Sequence, residues 1–226
     1  GRFVMKIENI KACVFDAYGT LFDVNSAAAK CKEKLGSRWE GFANAWRTTQ
    51  LEYTWLRSLM KKHKNFWEIT EDSLDHTMET FKIKKEMRNE LLDLYKKLSP
   101  YPEVKECLEG LKEKKIKIAI LSNGTPDLLK ELVESNNIKN FFDDIFSIES
   151  VGVYKPDSRV YEMPIKKYGC NPDNICFMSS NTWDVSGGGV FGYNAVWVNR
   201  FNKVFDKLSY KPKFVINNLK ELLKII

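Results

Sequence analysis

The chain has 226 residues and a formal net charge of +6, from 36 Lys and Arg against 30 Asp and Glu. This length favours one core with an inserted lobe over two full domains. The basic residues form no block and do not interleave with aromatic residues, which disfavours a nucleic-acid partner. We expect no signal peptide and no membrane span, and we expect the four residues before Met5 to be left over from cloning.

The five cysteines are scattered and form no CxxC pair. This disfavours a disulfide framework or a zinc site, and it favours reduced thiols in a cytoplasmic protein. The two histidines, His63 and His76, stand outside every motif described below. A histidine triad or a histidine metal site is therefore disfavoured.

The first predicted element is a strand over Ala12–Phe15, an unbroken apolar run typical of a strand buried on both faces of a parallel sheet. The run ends in Asp16, and Gly19 and Thr20 follow. Ligands of open α/β sheets bind outside the carboxyl ends of the strands, which makes Asp16 a candidate functional residue. A solvated aspartate in a turn is the alternative.

A proline-free stretch with helical periodicity follows, from about Asn25 to Ser99. The next buried strand, Ile116–Leu121, comes about a hundred residues after the first, far more than one crossover helix needs. We therefore predict an inserted, all-helical cap. The expected domains are a discontinuous core of residues 1–22 and 100–226 and a cap of residues 23–99.

One cap helix carries Leu51, Trp55 and Leu59 on one stripe at i, i+4 and i+8, and Arg47 lies one turn earlier on the same stripe. An arginine on an apolar stripe often extends its charge to water. The alternative is a guanidinium directed into a pocket beneath the cap. The sequence leaves both open.

From Pro100 onward, predicted strands and helices alternate, which indicates a doubly wound, Rossmann-like parallel sheet in an α/β fold. There is no glycine-rich dinucleotide motif, so we expect no organic cofactor. The predicted strands are Ile116–Leu121, Asp144–Ile148, Ile175–Met178 and Ala195–Val198, and the predicted helices run from Pro126 to about Asn136, from after Asp157 to Tyr168, and over Leu219–Ile226.

Three predicted strands end in Asp16, Ser122 and Ser179, and the carboxyl ends of parallel strands meet at one edge of the sheet. Lys155 follows another strand, and Asp184 follows Ser179 in the next loop. Each residue alone has an ordinary structural explanation. Together they predict a pocket with a nucleophile, a cation, small donors and a second carboxylate.

These blocks resemble the haloacid dehalogenase superfamily, in which a nucleophilic aspartate follows the first strand. Most members are phosphatases, with a second aspartate two residues later and a pair of acids after the fourth motif strand that help to bind magnesium. Here Tyr18 and Ser180 occupy positions of those acids. Asp16 and Asp184 alone are too few for the usual hard-cation site, so we expect no metal.

The variants that remain are similar to one branch, the L-2-haloacid dehalogenases. The resemblance implies hydrolytic dehalogenation of short L-2-haloalkanoic acids to D-2-hydroxy acids by a homodimer, with water and the haloacid as reactants. The matching blocks are Phe15–Val24, Gln50–Met60, Leu121–Gly124, Tyr154–Asp157 and Ser179–Asp184.

The resemblance also implies a role for each site residue. Asp16 is the nucleophile, and Asp184 serves the hydrolytic step. The residues expected to surround and support them, or to serve the substrate or halide, are Thr20, Arg47, Ser122, Lys155, Tyr161, Ser179 and Asn181. The residues expected to contact the substrate are Tyr18, Leu51, Phe66, Asn123 and Trp183.

Two departures from the family pattern bear on specificity and rate. Thr48 replaces a glutamine often found after the cap arginine, so the substrate range is expected to differ. Gly187–Gly189 follows Asp184, and each glycine costs a helix about 1 kcal/mol relative to alanine. The sequence therefore predicts a looser support for Asp184.

Two other functions remain as alternatives. A magnesium-dependent phosphatase of the same superfamily is disfavoured by Tyr18 and Ser180. A catalytically silent protein that binds small carboxylates would keep Arg47 and Lys155, but it would not need two carboxylates in the same pocket.

Overall fold

The computed structural model describes residues 5–226, so the expectation for the four residues before Met5 lies outside the described residues. Within that range, six parallel strands form one sheet in the order β3-β2-β1-β4-β5-β6. The doubly wound fold predicted from the sequence is confirmed. The strands are β1 (Ala12–Phe15), β2 (Lys117–Ser122), β3 (Asp144–Ser147), β4 (Ile175–Ser179), β5 (Asn194–Val198) and β6 (Phe214–Ile216).

Strand β1 lies between β2 and β4, and all four of its residues are buried. Val14 is in register with Ala119 of β2 on one side and with Phe177 of β4 on the other. Because all three strands run in the same direction, the loops that follow them emerge side by side. This arrangement brings the polar residues after β1, β2 and β4 to one edge.

The segment between β1 and β2 is helical, as predicted for the cap. Helix α3 buries Phe42, Trp46 and Gln50 against its neighbours, whereas Leu59 of the predicted apolar stripe is 80% exposed. The buried face of α3 is therefore rotated away from the stripe read from the sequence. The helices of this segment before Pro100 are α1 (Ser26–Lys30), α2 (Lys32–Leu35), α3 (Trp39–Met60), α4 (Phe66–Phe81) and α5 (Met87–Tyr95).

Two crossing segments join these helices to the sheet, the outgoing one around residues 20–23 and the returning one around residues 99–103. The two segments are hydrogen-bonded to each other. The amide of Asp23 donates to the carbonyl of Ser99 at 2.8 Å, and the amide of Tyr101 donates to the carbonyl of Leu21 at 3.0 Å. The outgoing and returning segments therefore lie side by side next to β1. No helix of the described residues is long and apolar enough to cross a membrane.

The remaining helices alternate with the strands, and two predictions need correction at the end of the chain. The predicted helix over Leu219–Ile226 is a short 3₁₀ helix over Leu219–Lys224, because spacing of three places the buried Leu219 and Leu222 on one face. Strand β6 was not predicted, since it is three residues long and half exposed at Val215. The other helices are α6 (Val104–Glu113), α7 (Pro126–Ser135), α8 (Ser158–Tyr168) and α9 (Thr182–Phe191).

Candidate active site

Asp16 follows β1 and is almost fully buried. Its Oδ2 accepts hydrogen bonds from the Thr20 hydroxyl at 2.9 Å, the Ser179 hydroxyl at 3.3 Å and the Asn181 amide at 2.7 Å. Charge-assisted hydrogen bonds of this kind orient a carboxylate. Asp16 is thus a buried carboxylate whose rotamer is set by three donors from two loops.

Lys155 lies between the two carboxylates of the site. Its Nζ donates to Asp16 Oδ1 at 3.1 Å and to Asp184 Oδ2 at 2.9 Å, and the side chain is 1% exposed. Burial lowers the pKa of this ammonium, but the charges of Asp16 and Asp184 outweigh burial and raise the pKa above its usual value. Lys155 therefore supplies a permanent positive charge beside the nucleophile.

Asp184 lies in the first turn of α9 and is fully buried. Its Oδ1 accepts a hydrogen bond from the Tyr161 hydroxyl at 2.7 Å. Burial, with the nearby charge of Asp16, raises the pKa of Asp184 to about 6, against the opposing effects of Lys155 and Tyr161. A carboxylate with this pKa is ionised at neutral pH and is still basic enough to accept a proton from water.

The glycines after Asp184 lie in a closely packed part of α9. The helix is continuous over Gly187–Gly189, and an added Cβ at each position would collide with a neighbouring side chain. A Cβ on Gly187 would lie 2.7 Å from the Tyr161 hydroxyl, and one on Gly188 would lie 2.8 Å from the Phe177 ring. The glycines therefore allow α9 to pack closely against α8 and β4, and the looser support for Asp184 stays a prediction.

This packing makes Gly187 a sensitive position. We expect Gly187→Ala to displace the Tyr161 hydroxyl from Asp184 and to lower kcat by about 10-fold to 100-fold, with little change in KM. Overpacking should also lower the free energy of unfolding by about 1–3 kcal/mol. Steady-state kinetics and thermal unfolding measure both effects.

The matched control is Gly41→Ala, also within a helix, where an added Cβ would have its nearest neighbour, Phe81, at 3.8 Å. The control should keep wild-type kcat. Equal kcat for the two variants would contradict the role assigned to the contact between Gly187 and Tyr161.

Arg47 points from the cap towards the sheet instead of extending to water. Its guanidinium donates to Gln50 Oε1 at 3.0 Å, to Asn181 Oδ1 at 3.3 Å and to the Tyr18 carbonyl at 3.4 Å. Asn181 in turn donates to Asp16, so the Asn181 side chain links Arg47 to the nucleophile candidate by hydrogen bonds. The sequence left open whether Arg47 extends to water or points into a pocket beneath the cap, and in the structure it points into the pocket.

A cavity of about 590 Å³ lies between the cap and the sheet edge. Arg47 and Asn181 supply polar groups to its wall, and Leu51 and Trp183 supply apolar surface. Thr48, the position of the unusual substitution, also lines this cavity. The cavity thus combines a cation, an amide and an apolar wall, which suits a small anion with an apolar part.

The structure separates the residues predicted to contact the substrate into two groups. Leu51 and Trp183 line the cavity, whereas Tyr18 and Phe66 are buried and pack on each other with ring centroids 5.1 Å apart. The Asn123 side-chain oxygen accepts the Lys155 backbone amide at 3.2 Å. Tyr18, Phe66 and Asn123 therefore lie outside the cavity lining, and their contact with the substrate stays a prediction.

Ser122 is buried at the end of β2, and its hydroxyl oxygen accepts a hydrogen bond from the Gly124 amide at 3.0 Å. Ser122 makes no hydrogen bond to Asp16, unlike Thr20 and Ser179.

Comparison with known proteins assigns the family. A family model described as haloacid dehalogenase-like hydrolase matches residues 10–192. The chain belongs to the haloacid dehalogenase-like hydrolases. This confirms the family predicted from the motifs.

Similar proteins extend over almost the whole length of this hydrolase. The (S)-2-haloacid dehalogenase of Pseudomonas fluorescens is 41% identical over 218 residues, 96% of either chain. The structure of the L-2-haloacid dehalogenase from Xanthobacter autotrophicus with chloropropionic acid covalently bound is 33% identical, with a TM-score of 0.88 over 95% of this chain and 97% of that one. A dehalogenase structure with an intermediate complex is 36% identical, with a TM-score of 0.95 over 97% and 98% of the two chains.

The donor set of this haloacid dehalogenase-like hydrolase does not fit the magnesium site that the superfamily's phosphatases use. All four carboxylate oxygens of Asp16 and Asp184 already accept hydrogen bonds from protein donors. The Ser180 hydroxyl, at one of the metal positions, donates to the Gly19 carbonyl. Residues 5–226 contain no cluster of three or more His, Cys, Asp or Glu side chains suited to a metal.

Two residues of the hydrolase's site, Gln50 and Arg200, were not found from the sequence, and Ser180 was noted only as the replacement of an acid. Gln50 accepts from Arg47 and donates to Thr70 and Tyr95, which fixes the arginine's direction. Its position three residues after Arg47 on one helix face was the available signal. Ser180 donates its backbone amide to Thr20 at 2.9 Å, and Arg200 reaches the same loop. Arg200 has no local sequence signal.

Proposed function

We propose that the protein is a hydrolytic dehalogenase that converts short L-2-haloalkanoic acids into D-2-hydroxy acids and halide. The observation that carries the proposal is Lys155, buried between Asp16 and Asp184 and bonded to both. One carboxylate is placed to attack carbon, the second to activate water, and the cation serves both steps. The relatives named (S)-2-haloacid dehalogenase support the same substrate class.

The first step is attack of the Asp16 carboxylate on C2 of the haloacid. This brings two negative charges together, and at about 4 Å with an effective dielectric constant of about 20 their repulsion is roughly 4 kcal/mol. Lys155 offsets it, because its charge lies 3.1 Å from Asp16. The new C–O bond forms as the C–halogen bond breaks, the carbon inverts, and an ester remains on Asp16.

The halide leaves with the bonding electron pair, so negative charge develops on it in the transition state. Fixed donors at that position lower the barrier. Arg47 and Asn181 are neighbouring donors on the cavity wall, and Gln50 keeps the guanidinium pointing towards the sheet. We assign these two side chains to the departing halide.

The second step is hydrolysis of the ester. Asp184 accepts a proton from water, the water oxygen attacks the ester carbonyl carbon of Asp16, and the bond between that carbon and the oxygen now joined to C2 breaks. The alkoxide takes a proton and leaves as the 2-hydroxy acid. Tyr161 and Lys155 hold Asp184 in place through both of its oxygens.

We further propose that residues 23–99 act as a cap domain on a discontinuous core of residues 1–22 and 100–226. The paired crossing segments next to Asp23 and Tyr101 support this division. We also propose a cytoplasmic homodimer. The free thiols of all five cysteines support a reducing compartment, and the family resemblance supports the dimer, which light scattering of the purified protein tests.

A substrate panel tests the proposed reaction. We expect halide release from the L but not the D enantiomer of 2-chloropropionate, at an undiminished rate in excess chelator, because no step requires a metal ion. Hydrolysis of p-nitrophenyl phosphate with added magnesium should be negligible. Phosphatase activity without halide release would replace this proposal with the phosphatase alternative, and no activity in either assay would favour the silent carboxylate-binding protein.

The pH dependence of ester hydrolysis tests Asp184 as the base. Above pH 6 Asp184 is ionised and accepts a proton, whereas below its pKa it is protonated and cannot. Because esterification removes the Asp16 charge that helps to raise this pKa, the rate should stay constant from pH 8 to about 6 and fall only at lower pH, ultimately by about tenfold per pH unit. Rapid quench of single turnovers measures it. A decline centred above pH 7 would assign the base role to another group.

A further inference from the structure

A buried ion pair lies beside the site and has no part in the chemistry above. Arg200, just after β5, donates to Glu103, just before α6, and their side chains are only 8% and 6% exposed. Burying two charges costs desolvation energy that their attraction often does not recover. A buried ion pair is therefore weak evidence for a role in stability alone.

The second amino group of Arg200 connects this pair to the nucleophile. It donates to the backbone carbonyl of Thr20 at 2.9 Å. The Thr20 hydroxyl donates to Asp16 Oδ2 at 2.9 Å and accepts the Ser180 amide at 2.9 Å. Arg200 thus holds the backbone of the residue whose side chain orients Asp16.

Arg200 also contacts the segment that returns from the cap. Its guanidinium carbon lies 3.8 Å from the centre of the Tyr101 ring, and Glu103 belongs to the same segment. The Tyr101 amide donates to the carbonyl of Leu21, next to Thr20. One guanidinium therefore contacts both crossing segments, outgoing at Thr20 and returning at Tyr101 and Glu103.

We propose that Arg200 is a positioning residue that holds the loop carrying Asp16 and Thr20 and the two crossing segments in a fixed position relative to one another. This proposal rests on the proposed function. By holding the Thr20 backbone, Arg200 positions the Asp16 carboxylate. By holding both crossing segments, it sets the position of Arg47 on the cap relative to Asp16. An error of about 1 Å in such an arrangement can cost about 100-fold in rate.

The decisive variant removes both charges, as Glu103→Leu with Arg200→Met. Replacing a buried ion pair by apolar residues of similar volume is often neutral for stability, so we expect a Tm close to wild type. The Thr20 carbonyl loses its donor, so the rate constant for alkylation of Asp16 should fall by about 10-fold to 100-fold. A purely structural role would leave that rate constant unchanged once stability is restored.

A control is Asp75→Leu with Arg88→Met, a partly exposed ion pair on the cap helices outside the cavity, which should leave alkylation unchanged. Arg200→Lys provides a second test if the double variant does not fold. Lysine keeps the charge for Glu103 but lacks the planar fork that also serves Thr20 and Tyr101. We expect slower alkylation here too.

Amide hydrogen exchange over residues 17–23 gives a readout that does not depend on activity, and exchange should be faster in both variants. If wild-type protein releases no halide, the proposed function fails and the exchange result alone decides the role of Arg200. Wild-type alkylation rates together with unchanged exchange in a folded variant would overturn the role of Arg200 while leaving the dehalogenase intact.

Discussion

Asp184→Asn should cleave the carbon–halogen bond once and then stop at the ester on Asp16. Asparagine keeps the shape of the side chain and can still accept a hydrogen bond from Lys155 or Tyr161, so the site should remain assembled. It cannot take a proton from water, and loss of a general base costs about 10²-fold to 10⁴-fold. We expect a burst of one halide per active site, and intact-protein mass spectrometry should show the added acid.

The matched control for this variant is Asp127→Asn. Asp127 also lies in the first turn of its helix, but it is exposed and outside the cavity. The control should turn over normally and carry no adduct. An Asp184→Asn protein that releases no halide and stays unmodified would mean that Asp184 acts in the first step.

The gathering of polar residues at one edge of the sheet could be predicted, because it depends on a simple geometric rule. Apolar runs that end in a polar residue indicate buried strands, and parallel strands present those ends together. Asp16 and Ser179 lie 163 residues apart in sequence, yet they share a hydrogen bond at this edge. No knowledge of the intervening chain was needed to expect them there.

The packing around that edge could not be predicted, because it depends on contacts that local periodicity does not record. The requirement for glycine at Gly187 comes from Tyr161 on another helix, so the sequence shows only an apparent helix-weakening residue. Arg200 acts on Thr20 across 180 residues. Tyr18 packs against the Phe66 ring, whereas Leu51 lines the cavity, and the tertiary fold determines this difference.

The direction of the Arg47 side chain could be predicted only in part. A helix stripe states which residues share a face, but not what that face meets. Here Gln50, one turn later and anchored by Tyr95, turns the guanidinium towards Asn181. The sequence could name both possibilities, and only the tertiary contact between α3 and α5 distinguishes them.

Asp16→Asn should abolish alkylation, with a loss of about 10⁴-fold or more, because an amide is a far weaker nucleophile than a carboxylate. The stronger test follows the oxygen atoms in the wild-type protein. The ester's alkyl oxygen comes from Asp16, and water then attacks the carbonyl carbon. A single turnover in heavy-oxygen water should therefore label Asp16 and leave the product hydroxyl unlabelled.

Peptide mass spectrometry locates the label on the protein, and mass analysis of the released 2-hydroxy acid completes the balance. The control is enzyme incubated in the same water without substrate, in which Asp16 should stay unlabelled because no ester forms. The competing mechanism keeps both carboxylates but uses Asp16 as a base, so that water attacks C2 directly. Label in the product hydroxyl during the first turnover would establish that mechanism, and Lys155 would then serve only to bind the substrate carboxylate.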